Sequence, residues 1–183
     1  MERNTGSVLI TDGGGRGAAL AEAYARSLHV DRILVAPGND LIYLATLGKP
    51  VEIFPGIKTT DVKAIVGLAR EKNVALVDVA QDNAVESGLT NALEEAGIDA
   101  IGPTREAGQI EWDKGWARKF GEEIGLPQPM FKACSTFREG YEYLDSMAER
   151  RWFVKASGLV AGKGALPAEN SLEARKRIRE VLK

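Results

Sequence analysis

The stretch Ser7-Val8-Leu9-Ile10-Thr11-Asp12-Gly13-Gly14-Gly15-Arg16-Gly17-Ala18 joins an apolar run to a glycine-rich segment. The run over residues 7–11 predicts a buried strand, and the alanine- and leucine-rich segment 18–28 predicts a helix. A glycine loop between a strand and a helix is where parallel α/β sheets bind phosphate, because backbone N–H groups there can approach an anion closely. The stretch therefore predicts an α/β fold with a phosphate-binding loop.

Strands and helices alternate from this stretch to about residue 103. Further strands are predicted over 32–36, 51–54, 74–79 and 100–101, with helices between them over 41–47, 60–72 and 85–96. Thr60 or Asp61 can cap the second of these helices. The alternation predicts a parallel, Rossmann-like sheet with helices on both faces.

The pattern changes after about Thr104. The sequence then predicts helices over 113–124 and 138–149, strands over 131–134 and 151–156, and a last helix that Ser171 caps. Pro127 and Pro129 predict a stiff connector before the first of these strands. We expect two domains, residues 1–103 and residues 104–183.

The composition excludes several classes of protein. The chain has 24 basic and 26 acidic residues and a formal net charge of −2, so no basic excess indicates a nucleic-acid partner. No apolar run approaches the ~18 residues of a membrane span, and residues 1–6 lack the apolar stretch of a signal peptide. Cys134 is the single cysteine, which rules out an internal disulfide and favours a packing role. We expect a cytoplasmic protein without nucleic-acid or membrane partners.

The first glycine loop has two interpretations. Gly13, Gly15 and Ala18 fit the dinucleotide fingerprint G-x-G-x-x-A, but no acid ends the second strand to hold a ribose hydroxyl. Arg16 within the loop suits a phosphate monoester instead. A tight turn between strand and helix, without a ligand, is the alternative.

Polar residues follow two other strands at the same predicted sheet edge. Asn39 ends the segment Pro37-Gly38-Asn39, and Asp82 lies in Gln81-Asp82-Asn83. Ligands of open α/β sheets bind at this edge, so Asn39 and Asp82 are candidate binding residues. The alternatives are a simple turn at Asn39 and helix capping by Asp82 or Asn83.

The second glycine loop follows an apolar segment, in Phe153-Val154-Lys155-Ala156-Ser157-Gly158-Leu159-Val160-Ala161-Gly162-Lys163-Gly164. It is not a Walker motif, because three residues rather than four separate Gly158 from Gly162 and no Ser or Thr follows Lys163. Glycines and lysines together suit a polyphosphate. The segment predicts a flexible flap over phosphates, and a solvent-exposed hairpin is the alternative.

Taken in order, these motifs resemble the N-terminal part of the phosphoribosylamine–glycine ligases (glycinamide ribonucleotide synthetases), ATP-grasp enzymes of purine biosynthesis. The motif at 155–164, Lys-Ala-x-Gly-Leu-x-Ala-Gly-Lys-Gly, carries most weight. The resembling stretches span nearly the whole chain: 8–20, 35–39, 88–89, 101–104, 113–120, 125–127 and 154–164.

The resemblance implies a pre-ATP-grasp, substrate-side α/β domain followed by an incomplete ATP-grasp region with its small α+β lobe. These ligases activate glycine as an acyl phosphate with ATP and Mg²⁺, and the amine of phosphoribosylamine then attacks it. The implied phosphoribosyl-binding residues are Gly13, Gly14, Gly15, Arg16, Asn39 and Asp82. The implied ATP-binding residues are Lys114, Lys155, Gly158, Gly162, Lys163 and Gly164.

The sequence also departs from this family. Gly17-Ala18-Ala19 stands where Glu-His-Ala is usual, Ala80-Gln81-Asp82 where Gly-Pro-Glu is usual, and Ser157 where Asp is usual. The first two departures touch the sugar-phosphate side, so an ATP-grasp ligase for another amine stays open.

The chain is also much shorter than the family. The carboxylates that bind Mg²⁺ would lie outside it, and no catalytic residue is assigned within it. We expect a ligase fragment, inactive alone, that a downstream complementing polypeptide would complete. A non-catalytic sugar-phosphate or nucleotide-binding module is the alternative, and a dinucleotide oxidoreductase is the least favoured interpretation.

Overall fold

The computed structural model describes residues 6–159 and 164–182. The chain forms two compact units, Met1–Gly108 and Gln109–Lys183. The division predicted after residue 103 thus lies five residues before the one between the compact units. The α6 helix (Arg105–Trp112) carries the chain from one unit into the other.

The first unit contains a five-stranded sheet of β1 (Gly6–Ile10), β2 (Val30–Val35), β3 (Val51–Ile53), β4 (Leu76–Asp78) and β5 (Ala100–Ile101). The strands lie in the order β3-β2-β1-β4-β5, and every strand is parallel to its neighbours. The helices are α1 (Gly15–Arg26), α2 (Leu41–Ala45), α3 (Val62–Glu71), α4 (Asp82–Glu86) and α5 (Leu89–Glu95). The predicted Rossmann-like α/β sheet is confirmed.

Apolar side chains cover both faces of this sheet. Val8 and Ile10 of β1 pack with Ala21 and Ala25 of α1 in one buried cluster. Leu9, which lies between them in sequence, is also fully buried. Successive side chains of a strand point to opposite faces, so β1 is buried on both sides. This burial holds the strand that leads into the first glycine loop.

Several predicted elements differ in the structure. The helix predicted over 85–96 is two helices, α4 and α5, because Gly88 between them takes a left-handed φ of 79°. The prediction missed α6. It was also wrong about residues 131–134, which form no strand. Asp61, rather than Thr60, caps α3 by accepting a hydrogen bond from Ala64.

After the end of α6, the second unit continues with one further helix and then a small α+β lobe. It contains a two-stranded antiparallel sheet of β6 (Trp152–Lys155) and β7 (Ala165–Ala168). Its helices are α7 (Lys114–Glu123), α8 (Phe137–Ser146) and α9 (Ser171–Val181). The sheet packs on α8 and α9 through Leu144, Ala168 and Ala174. The side chain of Asn170, not of Ser171, caps α9, so that prediction was wrong by one residue.

Candidate functional site

A buried carboxylate organises the first glycine loop. The side chain of Asp12 is fully buried just beyond the end of β1. One of its oxygens accepts a hydrogen bond from the Gly14 amide, and the other accepts from Gln81 Nε2 at 2.7 Å. The main-chain carbonyl of Asp12 accepts from the Gly38 amide at 3.0 Å. Asp12 therefore connects the loops that follow β1, β2 and β4.

Two glycines of the loop stand too close to their neighbours to carry a side chain. A Cβ at Gly13 would lie 2.9 Å from Pro37 Cγ, and a Cβ at Gly17 would lie 2.9 Å from Asp12 Cβ and Oδ1. A methyl group at either position would force a shift of its neighbour. Gly17 is one of the departures from the resembling family, and the Asp12 side chain occupies the space that a larger residue at position 17 would need.

The structure brings the other predicted phosphate-side residues to this same edge. Arg16 Nη1 donates a hydrogen bond to the Ala80 carbonyl and lies 3.3 Å from Asp82 Oδ1. Asn39 Nδ2 donates to the carbonyls of Gly13 and Gly14, at 3.3 and 3.1 Å. The capping alternative for Asp82 and Asn83 is wrong, since Gln81 occupies the N-cap of α4 and no side chain caps that helix.

Sequence reasoning missed the Asp12–Gln81 hydrogen bond. Asp12 could have been noticed as a carboxylate that directly follows an apolar strand. Nothing in the sequence pairs it with Gln81, 69 positions away, because the contact depends on β1 and β4 being neighbours in the sheet.

The second glycine loop joins β6 to β7. Lys155 ends β6 opposite Ala165, and the Ala156 amide donates to the Gly164 carbonyl at 2.8 Å. Gly158 takes a left-handed φ of 83°, which favours glycine. Lys155 is exposed and its side chain makes no hydrogen bond to any described residue. Gly162 and Lys163, also predicted to bind ATP, lie outside the described residues.

The N-terminus of α7 contacts the beginning of this loop. Lys114 Nζ donates a hydrogen bond to the Gly158 carbonyl at 3.3 Å. Asp113 caps α7 by accepting from the amides of Gly115 and Trp116, at 3.0 and 3.1 Å. Asp113 also accepts from the Ser157 hydroxyl at 2.6 Å. Two segments more than 40 residues apart in sequence, each with a predicted ATP-binding lysine, therefore meet at one place.

Hydrogen bonding keeps Asp113 ionised. The Ser157 hydroxyl, and after it the Trp116 amide, lower the pKa of Asp113 below its ordinary value, because both bonds stabilise the charged carboxylate.

The single cysteine is shifted in the opposite sense. Burial raises the pKa of the Cys134 thiol, and the charge of Glu139 raises it further. A thiol that stays protonated is a poor nucleophile. The packing role of Cys134 stays a prediction.

Neither a metal centre nor a membrane span is found in the described part of the chain. Within residues 6–159 and 164–182, no three His, Cys, Asp or Glu side chains form a group that could hold a metal ion. Over the same residues, no helix combines the length and the apolar character needed to cross a membrane.

Comparison with known families matches the whole described chain. The model for the N domain of phosphoribosylglycinamide synthetase matches residues 6–111, and the model for its ATP-grasp (A) domain matches residues 112–183. The chain belongs to the phosphoribosylglycinamide synthetase family. The resemblance inferred from the motifs is thereby confirmed.

Curated relatives of the synthetase family agree with this assignment. The phosphoribosylamine–glycine ligase of Archaeoglobus fulgidus is 36% identical over 96% of this chain and 38% of its own length. The human trifunctional purine biosynthetic protein adenosine-3 is 35% identical over 96% of this chain and 17% of its own length. This synthetase-family chain thus spans about two fifths of the single-function relative and corresponds to its N-terminal portion.

Solved structures confirm the fold of the synthetase family. The phosphoribosylamine–glycine ligase of Thermotoga maritima has a TM-score of 0.65 at 22% identity, over 93% of this chain and 38% of that one. Carboxyaminoimidazole ribonucleotide synthase of Aspergillus clavatus, solved with ATP, has a TM-score of 0.68 at 18% identity, over 98% and 45%. At these identities the likeness establishes the architecture alone.

Proposed function

We propose that this chain is the N-terminal portion of a cytoplasmic ligase that joins glycine to phosphoribosylamine with ATP. The first unit would supply the substrate-side sheet edge, and the second would supply the segment that covers ATP. Family membership supports the reaction class. The observation that carries the ATP assignment is the hydrogen bond from Lys114 Nζ to the Gly158 carbonyl, because it joins both lysine-bearing segments.

The lysines would act on the nucleotide through charge. Lys155 is exposed at the end of β6, so its ammonium group is available for a phosphate oxygen. Lys114 would exchange its contact with a neutral carbonyl for a charge-assisted bond to a phosphate, which is roughly twice as strong. The backbone amides of Gly158 and Gly164 would add hydrogen bonds to the phosphates. The proposal also includes Gly162 and Lys163, which lie outside the described residues.

The reaction proposed is a two-step acyl transfer. The glycine carboxylate attacks the terminal phosphorus of ATP, which releases ADP and forms an acyl phosphate. The amine of phosphoribosylamine then attacks the acyl carbon, and inorganic phosphate leaves. Mg²⁺ would neutralise phosphate charge in such a transfer, and we place its ligands in the rest of the ligase.

The first loop would hold the phosphoribosyl group. Gly13, Gly14 and Gly15 expose backbone at the carboxyl edge of the sheet, and Arg16 and Asn39 lie beside them. Arg16 would exchange its contact with the Ala80 carbonyl for the phosphate, and Asp82 would take a sugar hydroxyl. These roles are consistent with ligand binding at strand ends in open α/β sheets.

Complementation tests this proposal. The chain is mixed with a purified polypeptide that supplies the remaining three fifths of the ligase, together with glycine, ATP and phosphoribosylamine. Phosphate release and glycinamide ribonucleotide formation should require both polypeptides and all three substrates. Two folded polypeptides that associate and release no phosphate would contradict the proposal.

A ligase for another amine is the second candidate, and one observation favours it. The fully buried Asp12 carboxylate already accepts the Gly14 amide, so a phosphate at the loop would meet a negative charge beneath it. An amine substrate without a phosphate would avoid this repulsion. Replacing phosphoribosylamine by a panel of small amines in the complementation assay separates the two candidates.

A further inference from the structure

One hydrogen-bonded pair connects the two segments of the second unit that carry the lysines. The Ser157 hydroxyl donates to Asp113 Oδ1 at 2.6 Å and accepts from the Gly115 amide at 2.9 Å. Asp113 is the N-cap of α7, and Ser157 lies two residues beyond the end of β6. Lys114 and Gly158, the residues that follow each partner, also contact one another.

Only one member of this pair, the Ser157 hydroxyl, can donate the hydrogen bond that joins them. An ionised carboxylate only accepts hydrogen bonds, whereas a hydroxyl both donates and accepts. Asp113 Oδ1 already receives the amides of Gly115 and Trp116. The side chain at position 157 must therefore bring a further donor and no negative charge. A second carboxylate at 157 would stand within hydrogen-bond distance of the first and repel it.

We propose that Asp113 and Ser157 form a positioning pair: the carboxylate requires a hydrogen-bond donor at position 157, and their contact fixes Lys114 beside the loop that begins after Lys155. The consequence for ATP rests on the proposed function, whereas the pairing itself does not. Neither residue is assigned a contact with substrate, and both act through the two lysines.

Exchanging the two residues tests the pair. Ser157→Asp should raise the unfolding equilibrium constant of the chain about tenfold, because two carboxylates then face each other. The double variant Asp113→Ser/Ser157→Asp should return to within about threefold of wild type, since serine also caps helices and can donate to the new aspartate. Ser157→Asn is the matched control, because it has nearly the shape of aspartate, carries no charge and can donate.

Two readouts keep the result independent of simple loss of stability. Hydrogen exchange of the Gly115 and Trp116 amides should quicken in Ser157→Asp and recover in the exchanged double variant. In the complemented ligase, the KM for ATP should rise about tenfold in Ser157→Asp, with kcat much less affected, and should recover likewise.

Clear outcomes would overturn the inference. A double variant no more stable than Ser157→Asp would show that the residues are not coupled. Recovery of stability with an unchanged KM for ATP in every variant would show that the pair does not position the lysines. If wild-type chain and downstream polypeptide show no turnover, the proposed function fails, and unfolding and amide exchange still decide whether the pair exists.

Discussion

The phenolic hydroxyl of Tyr24 donates a hydrogen bond of 2.7 Å to Oδ2 of Asp78. Tyr24 lies on α1 and Asp78 ends β4. The main-chain carbonyl of Asp78 accepts from the amide and the hydroxyl of Thr11, at 2.9 and 3.0 Å. Asp78 thus joins the helix that follows the first glycine loop to the two strands beneath it.

Tyr24 should ionise only well above the pH at which an ordinary tyrosine does. Burial, and then the hydrogen bond to Asp78 and its charge, raise the pKa of Tyr24 well above the ordinary value. The protonated hydroxyl therefore stabilises the fold fully below about pH 10, and this contribution is lost as the pH rises through the folded-state pKa. Alkaline spectrophotometric titration of wild type and Tyr24→Phe measures this directly.

Tyr24→Phe should lose the late-ionising phenol. It should also lose about 1–3 kcal/mol of unfolding free energy, because the buried carboxylate of Asp78 loses a hydrogen-bond donor. Tyr43→Phe is the control, since Tyr43 is 56% exposed. Loss of an early-ionising phenol in Tyr24→Phe would contradict the assignment.

Gly17→Ala should destabilise the first unit, although alanine usually favours a helix. The new methyl carbon would lie 2.9 Å from Asp12 Cβ and Oδ1, so overpacking should cost about 1–3 kcal/mol. Gly15→Ala is the matched control in the same first turn of α1, because nothing beyond its chain neighbours and the backbone of its own helix lies within 4 Å of its Cβ. Urea unfolding should leave Gly15→Ala close to wild type, and equal midpoints for the two variants would refute the argument.

Asp12→Asn should strengthen the binding of ribose 5-phosphate to the chain. The change removes the charge beneath the loop and keeps an oxygen for the Gly14 amide, while the new Nδ2 faces Gln81, whose side-chain amide must turn to present its oxygen. We expect roughly tenfold tighter binding at low salt, or ~1.4 kcal/mol, which is within what a unit charge supplies a few ångströms away. Calorimetry of wild type, Asp12→Asn and Asp61→Asn measures it, because Asp61 caps α3 and asparagine replaces it well.

An unchanged affinity in a folded Asp12→Asn protein would show that the Asp12 charge does not oppose phosphate. Tighter binding in Asp61→Asn as well would show that net charge, rather than the position of Asp12, sets the affinity.

Lys155→Ala should weaken ATP binding in the complemented ligase by about 10- to 100-fold, because a phosphate would lose a charge-assisted contact. Lys176→Ala removes an equal charge from the exposed surface of α9 and should have little effect. Nucleotide titration of both variants provides the comparison. Equal affinities for wild type and Lys155→Ala would show that Lys155 does not contact the nucleotide.

The sequence predicted the sheet because its signals are local. Four of the five strands are apolar runs that a glycine or proline follows within three residues, whereas β4 leads to Gln81 and Asp82. The parallel arrangement follows from the alternation with helices. The convergence of Asn39 and Asp82 on the first glycine loop could also be predicted, since parallel strands bring their carboxyl ends to one edge. The roles of these residues in binding stay predictions.

The remaining features depend on contacts between distant residues. The donor for Asp12 comes from Gln81, and the donor for Asp113 comes from Ser157, across loops whose lengths do not fix their paths. Apolar Phe131 and Met130 made residues 131–134 resemble a strand, yet the described structure gives them no partner strand. Asn170 rather than Ser171 is the N-cap of α9, because the Asn170 side chain accepts a hydrogen bond from the Glu173 amide at 2.9 Å.

The two-stranded sheet of the second unit should limit the solubility of the isolated chain. Among the described residues β6 and β7 pair only with each other. Each strand therefore has one edge of N–H and C=O groups that pair with no other strand and could bind an extended segment of another chain. Phe153 adds a ring that is 70% exposed beside that row. Open strand edges of this kind promote self-association. The chain should therefore stay monodisperse only when dilute, and co-expression with a polypeptide that supplies the rest of the proposed ligase should raise the concentration at which it precipitates.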